Sequence, residues 1–146
     1  MAIHDRDEII YMPYDSIVEY EHSDYLVTAR SNFSNPVLSY LLYEMKCKED
    51  VKYLWYDKQE HKMAVLEKKS ESDIDKATFK QLFSDNFQVQ IEKKDGAPQI
   101  FSTRLELHRT ASENELILID KRAGSCNFFK GSYVPLSNLN IFPYGE

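Results

Sequence analysis

Two carboxylates and a lysine near the middle of the chain have the residue types and the spacing for metal-dependent chemistry. Asp50 stands just before an apolar stretch at 51–56, and Glu67 and Lys69 stand at the end of the next stretch, at 63–67. If the two stretches form an antiparallel hairpin, the start of the first strand lies beside the end of the second, so Asp50 and Glu67 converge. Two carboxylates with a lysine can hold Mg²⁺ and orient a water for attack on a phosphodiester.

This Asp…Glu-x-Lys arrangement resembles the signature of the restriction-endonuclease-like nuclease superfamily, and the resemblance extends over the helices predicted on either side, which carry Glu44 and Gln81. It implies a Mg²⁺-dependent nuclease in which Asp50 and Glu67 bind the metal and Lys69 assists catalysis. The chain differs from the family at Lys68, where the middle residue is usually apolar. The competing interpretation is that these residues are solvated charges at strand ends.

Other signals for chemistry are sparse. The sequence contains no Gly-rich phosphate loop, no GxSxG, no HExxH and no CxxC. Cys47 and Cys126 are far apart, and no histidine stands at a metal-ligand spacing from either, so we expect free thiols and a reducing, cytoplasmic location. Arg104, Glu106 and His108 alternate with apolar residues on a predicted strand, so they share one face. They could do acid–base work, or form the ion pairs of an ordinary strand face.

Negative charge is concentrated at the N-terminal end of the chain. The formal net charge is −6, and residues 1–25 hold seven acids and one base, so the remainder is balanced. Such an acidic edge attracts a positively charged partner and repels a nucleic-acid backbone. Tyrosines interleave with these acids, and Tyr is a favoured interface anchor because it joins a large ring to a polar tip. The residues expected to bind a partner are Tyr11, Tyr14, Asp15, Glu19, Tyr20, Glu21, Asp24 and Tyr25. The competing interpretation is a solvated strand face whose tyrosines are strand formers.

The elements that would position these residues follow from hydrophobic periodicity. Residues 17–20, 25–29, 51–56 and 63–67 read as strands, and 87–92 and 101–108 alternate with period two around a turn at 93–96. Residues 116–119 read as a strand buried on both faces. Apolar residues on one face after Asn35-Pro36 predict a helix at 36–46, and a capping-box-like start at 72–75 predicts a second one ending near Ser84.

These elements predict one α+β domain over residues 1–146, a mostly antiparallel twisted sheet of roughly six to nine strands with two amphipathic helices packed on it. Residues 1–25 would form its acidic, Tyr-bearing edge, and residues 123–146 an irregular segment over the core with one strand at 127–134. No apolar run approaches the roughly 20 residues that span a bilayer, so we expect no membrane segment.

The function expected from these features is that of a non-catalytic cytosolic binding or inhibitor protein without a cofactor. Its acidic aromatic surface would neutralise a basic protein partner, as an immunity protein neutralises a nuclease toxin. Two alternatives stay open: a Mg²⁺-dependent nuclease at Asp50, Glu67 and Lys69, and a small-molecule-binding module with the sheet as one wall of its pocket. Nucleic acid is not an expected partner of the first function.

Overall fold

The computed structural model describes residues 12–144, whose regular structure consists almost entirely of antiparallel strands. The strands are β1 (Ile17–Tyr20), β2 (Ser23–Ser34), β3 (Ser39–Cys47), β4 (Asp50–Asp57), β5 (Lys62–Lys69), β6 (Phe79–Lys93), β7 (Gln99–Thr110), β8 (Glu115–Arg122), β9 (Ser125–Val134) and β10 (Asn140–Phe142). Two single 3-10 turns, Glu71–Asp73 and Leu136–Asn138, are the only helical elements in the described part of the chain.

Eight of these strands close into a barrel. Their order is β2-β3-β4-β5-β9-β8-β7-β6, and the ring closes where residues 29–34 of β2 pair with residues 88–93 of β6. The strands form two meanders, β2–β5 and β6–β9, joined by the segment 70–78, which carries the first 3-10 turn. The first residues of β2 run beyond this closure, where β1 and then β10 continue the sheet.

The barrel interior is filled with apolar side chains contributed by all eight strands. Trp55 is fully buried there, with its ring stacked on Tyr40 at 4.7 Å between centroids and tilted against Phe33 at 6.3 Å. An eight-stranded barrel is just wide enough for side chains to fill. The interior cluster is Phe33, Tyr40, Leu42, Trp55, Ala64, Leu66, Phe87, Val89, Ile91, Leu105, Leu107, Leu116, Leu118 and Phe129.

A second apolar cluster covers the outside of the β2–β5 wall. The strands β1 and β10, with Met12 and Leu139, fold over this wall and bury it. Alternate residues of β3, β4 and β5 therefore face two different cores. This outer cluster is Met12, Val18, Tyr25, Val27, Leu41, Tyr43, Met45, Leu54, Tyr56, Met63, Val65, Leu139 and Ile141.

The prediction of an α+β fold with two helices is wrong, and the first helix fails because its sequence forms a strand buried on both faces. Leu41, Tyr43 and Met45 face the outer cluster, while Tyr40 and Leu42 face the barrel interior. Such a strand is almost continuously apolar, so it also satisfies the spacing of an amphipathic helix. The Asn35 side chain does accept backbone N–H groups, from Val37 at 2.9 Å and Leu38 at 2.7 Å, but it caps a tight turn between β2 and β3.

The second predicted helix, ending near Ser84, is replaced by the 3-10 turn, a short coil and the start of β6. Asp75 accepts the backbone N–H of Ala77 at 2.9 Å, so it closes a turn and does not cap a helix. A β-bulge at Leu82 then shifts the alternation of β6. One inserted residue lengthens a spacing of two between residues on the same face to three, and a spacing of three is also found on one face of a helix.

The strand predictions fare better. Strands at 17–20, at 25–29 within β2, at 51–56, 63–67, 101–108 and 116–119 are confirmed, as are the hairpins β4–β5 and β6–β7. Within the C-terminal segment, the strand expected at 127–134 is confirmed as part of β9, which pairs with both β5 and β8, and β10 is a further strand that was not predicted. Within residues 12–144, no helix is long and apolar enough to cross a membrane.

Candidate functional site

The structure brings Asp50 and Glu67 together, as the hairpin argument predicts, but on either side of a lysine. Lys52 Nζ lies 2.9 Å from Glu67 Oε1 and 3.7 Å from Asp50 Oδ2. Lys69 Nζ lies 3.6 Å from Glu67 Oε2. The hydrogen bond and charge of Lys52 hold the pKa of Glu67 below its ordinary value. An ammonium group therefore stands between the two carboxylates.

Tyr25 belongs to the same polar cluster. Its hydroxyl donates a hydrogen bond of 2.6 Å to Asp50 Oδ2, and burial together with that bond raises the pKa of Tyr25. Among residues 12–144 no three His, Cys, Asp or Glu side chains come together in an arrangement that could hold a metal ion. The ion pairs of Lys52 and Lys69 supply the positive charge of this cluster, which stabilises the β4–β5 hairpin.

The Glu106 and His108 pair lies on the outer face of β7 and is almost fully buried. His108 Nε2 is 3.2 Å from Glu106 Oε1, and Lys121 forms an ion pair with Glu106. Burial opposes ionisation of Glu106, but the hydrogen bonds from Lys121 and His108 outweigh it and lower the pKa of Glu106. This row is an internal ion-pair network of the barrel wall.

Several of the residues predicted to bind a partner are engaged within the fold. Asp15 pairs with Lys94 at 2.6 Å, and the Tyr14 hydroxyl donates to Glu92 at 3.3 Å. Tyr25 is buried, and Tyr20 is half-buried against the outer cluster. Tyr11 lies outside the described residues.

Glu19, Glu21 and Asp24 are different, because they stand together at the β1–β2 hairpin with no ion pair to any described residue. Glu19 accepts a hydrogen bond of 2.7 Å from the amide of Asn140, which leaves its charge uncompensated. Glu21 and Asp24 are exposed. Of the predicted partner-binding residues, these three carboxylates are the ones whose charge stays available to a partner.

The turn that carries Glu21 has unusual residues for its backbone. Glu21 and His22 both have positive φ, 49° and 66°, and they connect the paired residues Tyr20 and Ser23. Two-residue hairpins with positive φ at both positions strongly favour Asn-Gly or Asp-Gly, because side chains with a Cβ are strained there. The hairpin thus keeps a charged side chain at a position that glycine would occupy with less strain.

Beside these acids lies a row of exposed apolar side chains. Ile17 of β1 is directly opposite Leu26 of β2 on one side and Phe142 of β10 on the other. Directly paired residues share a face of the sheet, so the three side chains form one row. They are 37%, 40% and 43% exposed.

The next row on the same face is polar and acidic. Glu19 is directly opposite Asp24 and Asn140. The intervening row, Val18 with Tyr25 and Ile141, points the other way and is buried in the outer cluster. We call the exposed surface the docking face; it consists of Ile17, Glu19, Asp24, Leu26, Asn140 and Phe142.

The sequence indicated the acids of the docking face but not its apolar row. Ile17 and Val18 are adjacent in β1, and only the cross-strand register shows which of them is buried. Phe142 lies in a strand that was not predicted. The sequence offered one signal: β1 has an apolar side chain on each face, so one of these side chains is exposed unless both faces of the strand are packed against other elements.

Comparison with known proteins adds no relative. The chain matches no family model, no curated protein and no solved structure.

Proposed function

We propose that this chain is a non-catalytic binding protein that captures a basic protein partner on its docking face, in the manner of an immunity protein that neutralises a cationic toxin. The observation that carries the proposal is the exposed row Phe142–Ile17–Leu26 lying directly beside the unneutralised carboxylates Glu19 and Asp24. The proposed location is a reducing cytoplasm.

The composition of the docking face supports this occupant. Protein interfaces combine an apolar core with a polar rim, and the apolar row supplies the former. The acidic row and Glu21 at the adjacent turn supply a negative rim, which steers a positively charged partner to the site and disfavours an acidic one. Exposed apolar patches bordered by polar residues are typical of protein–protein contacts.

Two further observations favour binding over the alternatives. The side-chain groups with the chemistry for catalysis, Asp50 with Glu67 and Glu106 with His108, are each engaged by a lysine of the fold. The barrel interior, where a small molecule would be enclosed, is occupied by the rings of Trp55, Tyr40 and Phe33.

The test compares immobilised variants of the chain as baits in a lysate of its own cell, followed by binding kinetics with the purified partner. One variant, Glu19→Gln/Asp24→Asn, removes the charge of the face, and the other, Ile17→Ser/Phe142→Ser, removes its apolar row. We expect the first to slow association by roughly three- to tenfold and to flatten its salt dependence. We expect the second to speed dissociation by about tenfold or more.

The matched control is Glu71→Gln/Glu115→Gln, which removes two exposed charges far from the docking face and should bind like the wild-type chain. A partner whose capture and kinetics are the same for all four baits does not bind this face. A partner with an acidic contact surface would contradict the proposal equally.

A further inference from the structure

The N-terminal half of β6 has an open edge. β6 pairs with β7 over nearly its whole length, but β2 pairs only with its residues 88–93. Just before that closure, the carbonyl of Asn86 accepts a hydrogen bond of 3.3 Å from the Asn35 side chain. On the side away from β7, residues 80–85 have no strand partner within the described chain. Open strand edges are templates for pairing with another strand.

The residues along this edge are self-complementary about a two-fold axis. When the edge is placed antiparallel to the same edge of a second copy, centred between Leu82 and Phe83, oppositely charged residues meet at both ends. The facing pairs are Lys80 with Asp85, Gln81 with Ser84, and Leu82 with Phe83. A two-fold axis turns each of these into two contacts, one on either side of the centre.

The facing charges also lie on the same side of the sheet. In β6, Lys80 is paired with Arg109 and Asp85 with Leu105, and these two β7 residues are four apart, so they share a face. A two-fold axis perpendicular to the sheet preserves the face, so Lys80 meets Asp85 of the second copy side by side. Opposite charges directly across an antiparallel pair stabilise it.

Leu82 provides the apolar centre. It is the bulged residue of β6, without a partner in β7, and it is 42% exposed. Its neighbour Phe83 is half-buried and stacks on Tyr40 at 5.3 Å. Pairing of two edges brings each Leu82 beside a Phe83 ring and removes both from water.

We propose that this chain forms a symmetric homodimer in which the two β6 edges pair through residues 80–85. The contact ends at Asp85, because the next residue, Asn86, is already hydrogen-bonded by the Asn35 side chain. In the symmetric register Lys80 faces Asp85, so the contact ends at Lys80 on the other side. A contact of this size gives a weak, reversible dimer. The inference is independent of the docking face, which is formed by β10, β1 and the start of β2.

A charge-swap experiment tests the proposal. The variants Lys80→Asp and Asp85→Lys each place two like-charged pairs in their own homodimer, but a mixture of the two restores both attractive pairs. We expect sedimentation equilibrium of the wild-type chain, from about 1 μM to about 1 mM, to show a monomer–dimer equilibrium. Each variant alone should show a dissociation constant raised roughly tenfold or more, and the equimolar mixture should recover wild-type association.

The control pair is Lys48→Asp and Glu115→Lys, exposed residues away from the edge, which should associate like the wild-type chain both alone and mixed. Far-UV circular dichroism checks that all variants are folded. A wild-type chain that stays monomeric up to about 1 mM overturns the proposal. So does a Lys80→Asp variant that dimerises normally, or a folded mixture that fails to associate.

Discussion

At the scale of single residues, cations pair with two of the three buried carboxylates among residues 12–144: Lys121 with Glu106, and Arg122 with Asp120. Glu106 accepts hydrogen bonds from Lys121 and His108, and the charge of Lys76, on the segment between β5 and β6, adds to them. A carboxylate held in this way is charged in the folded chain at a pH where it would be protonated in the unfolded chain. Its contribution to stability therefore depends on pH.

We predict that Glu106→Gln lowers the free energy of unfolding at neutral pH by about 1–2 kcal/mol, because the replaced hydrogen bonds involve a charged acceptor. Since the folded-state pKa of Glu106 is lowered, this stabilisation is fully present above the ordinary carboxylate value of about 4.3. It is lost as the pH falls further, through the folded-state pKa.

Urea unfolding of both proteins between about pH 7 and pH 3 measures the difference, which should shrink at the acidic end. The control is Glu115→Gln, an exposed carboxylate with no described ion pair, whose effect should be small at every pH. A difference between wild type and Glu106→Gln that grows on acidification would contradict the assignment.

Sequence reasoning reached part of this residue-scale picture. The convergence of Asp50 and Glu67 was predictable, because an antiparallel hairpin with a short connection allows few registers. The position of Lys52 was also implicit, since it is two residues from Asp50 and thus on its face. Periodicity cannot predict which lysine pairs with which carboxylate, because that depends on the conformations of long, flexible side chains.

At the scale of elements, β5 and β9 approach each other closely at Gly131. Gly131 is paired with Leu66, and a Cβ on Gly131 would lie 1.9 Å from the carbonyl oxygen of Val65 and 2.7 Å from the Cα of Leu66. These are backbone atoms of the partner strand, so they cannot move without displacing it. The two meanders meet at this seam, so the seam depends on a residue without a side chain.

We predict that Gly131→Ala destabilises the chain by about 2–3 kcal/mol or more, because the methyl group forces β5 and β9 apart. Thermal or urea unfolding measures the loss. Ser132→Ala, the adjacent position in the same strand, is the control and should change stability by less than about 1 kcal/mol. Equal stability of Gly131→Ala and wild type would mean that the seam is looser than the structure shows.

The alternating strands and the short apolar strands at 51–56, 63–67 and 116–119 were predictable, whereas β3 and the start of β6 were not. β3 contributes to both cores and is nine residues long, so its apolar residues satisfy the spacing of a helix as well as that of a buried strand. β6 contains a bulge, and no local pattern marks Leu82 as the inserted residue. In both cases the tertiary environment overrides what the local spacing indicates.

At the scale of the whole molecule, the two apolar clusters share the strands β3, β4 and β5. Tyr43 and Leu54 face the outer cluster, while Leu42 and Trp55, their neighbours in sequence, face the interior. Separating the outer cover from the barrel would therefore expose one side of strands that the barrel needs. The clusters should unfold as one unit.

We predict that Met45→Ala, in the outer cluster, and Leu107→Ala, in the barrel interior, each destabilise the chain by about 2–5 kcal/mol. Both side chains are fully buried. Trp55 fluorescence and far-UV circular dichroism should give the same single transition in each variant.

Val37→Ala is the control, because that side chain is almost fully exposed and its truncation should change stability little. If Met45→Ala split the transition, so that circular dichroism changed before Trp55 fluorescence, the outer cover would be an independent unit.

Barrel closure was beyond sequence reasoning for a topological reason. β2 closes the ring with β6, and β5 meets β9, so both seams join segments that are far apart in the chain. Alternation indicates that a strand has a buried face, but not which strand lies beside it. The docking face was hidden for the same reason, since it depends on β10 returning to β1.

β2 belongs both to the docking face and to the closure of the barrel. The first half of β2 carries Asp24 and Leu26, and its second half forms the closing seam with β6, with a bulge between Val27 and Ala29. A protein that binds the first half of β2 would therefore contact the same strand whose second half closes the barrel. If a partner binds there as proposed, a force pulling on that partner would act along β2 on its pairing with β6, so release of the partner and opening of the barrel should occur at similar forces.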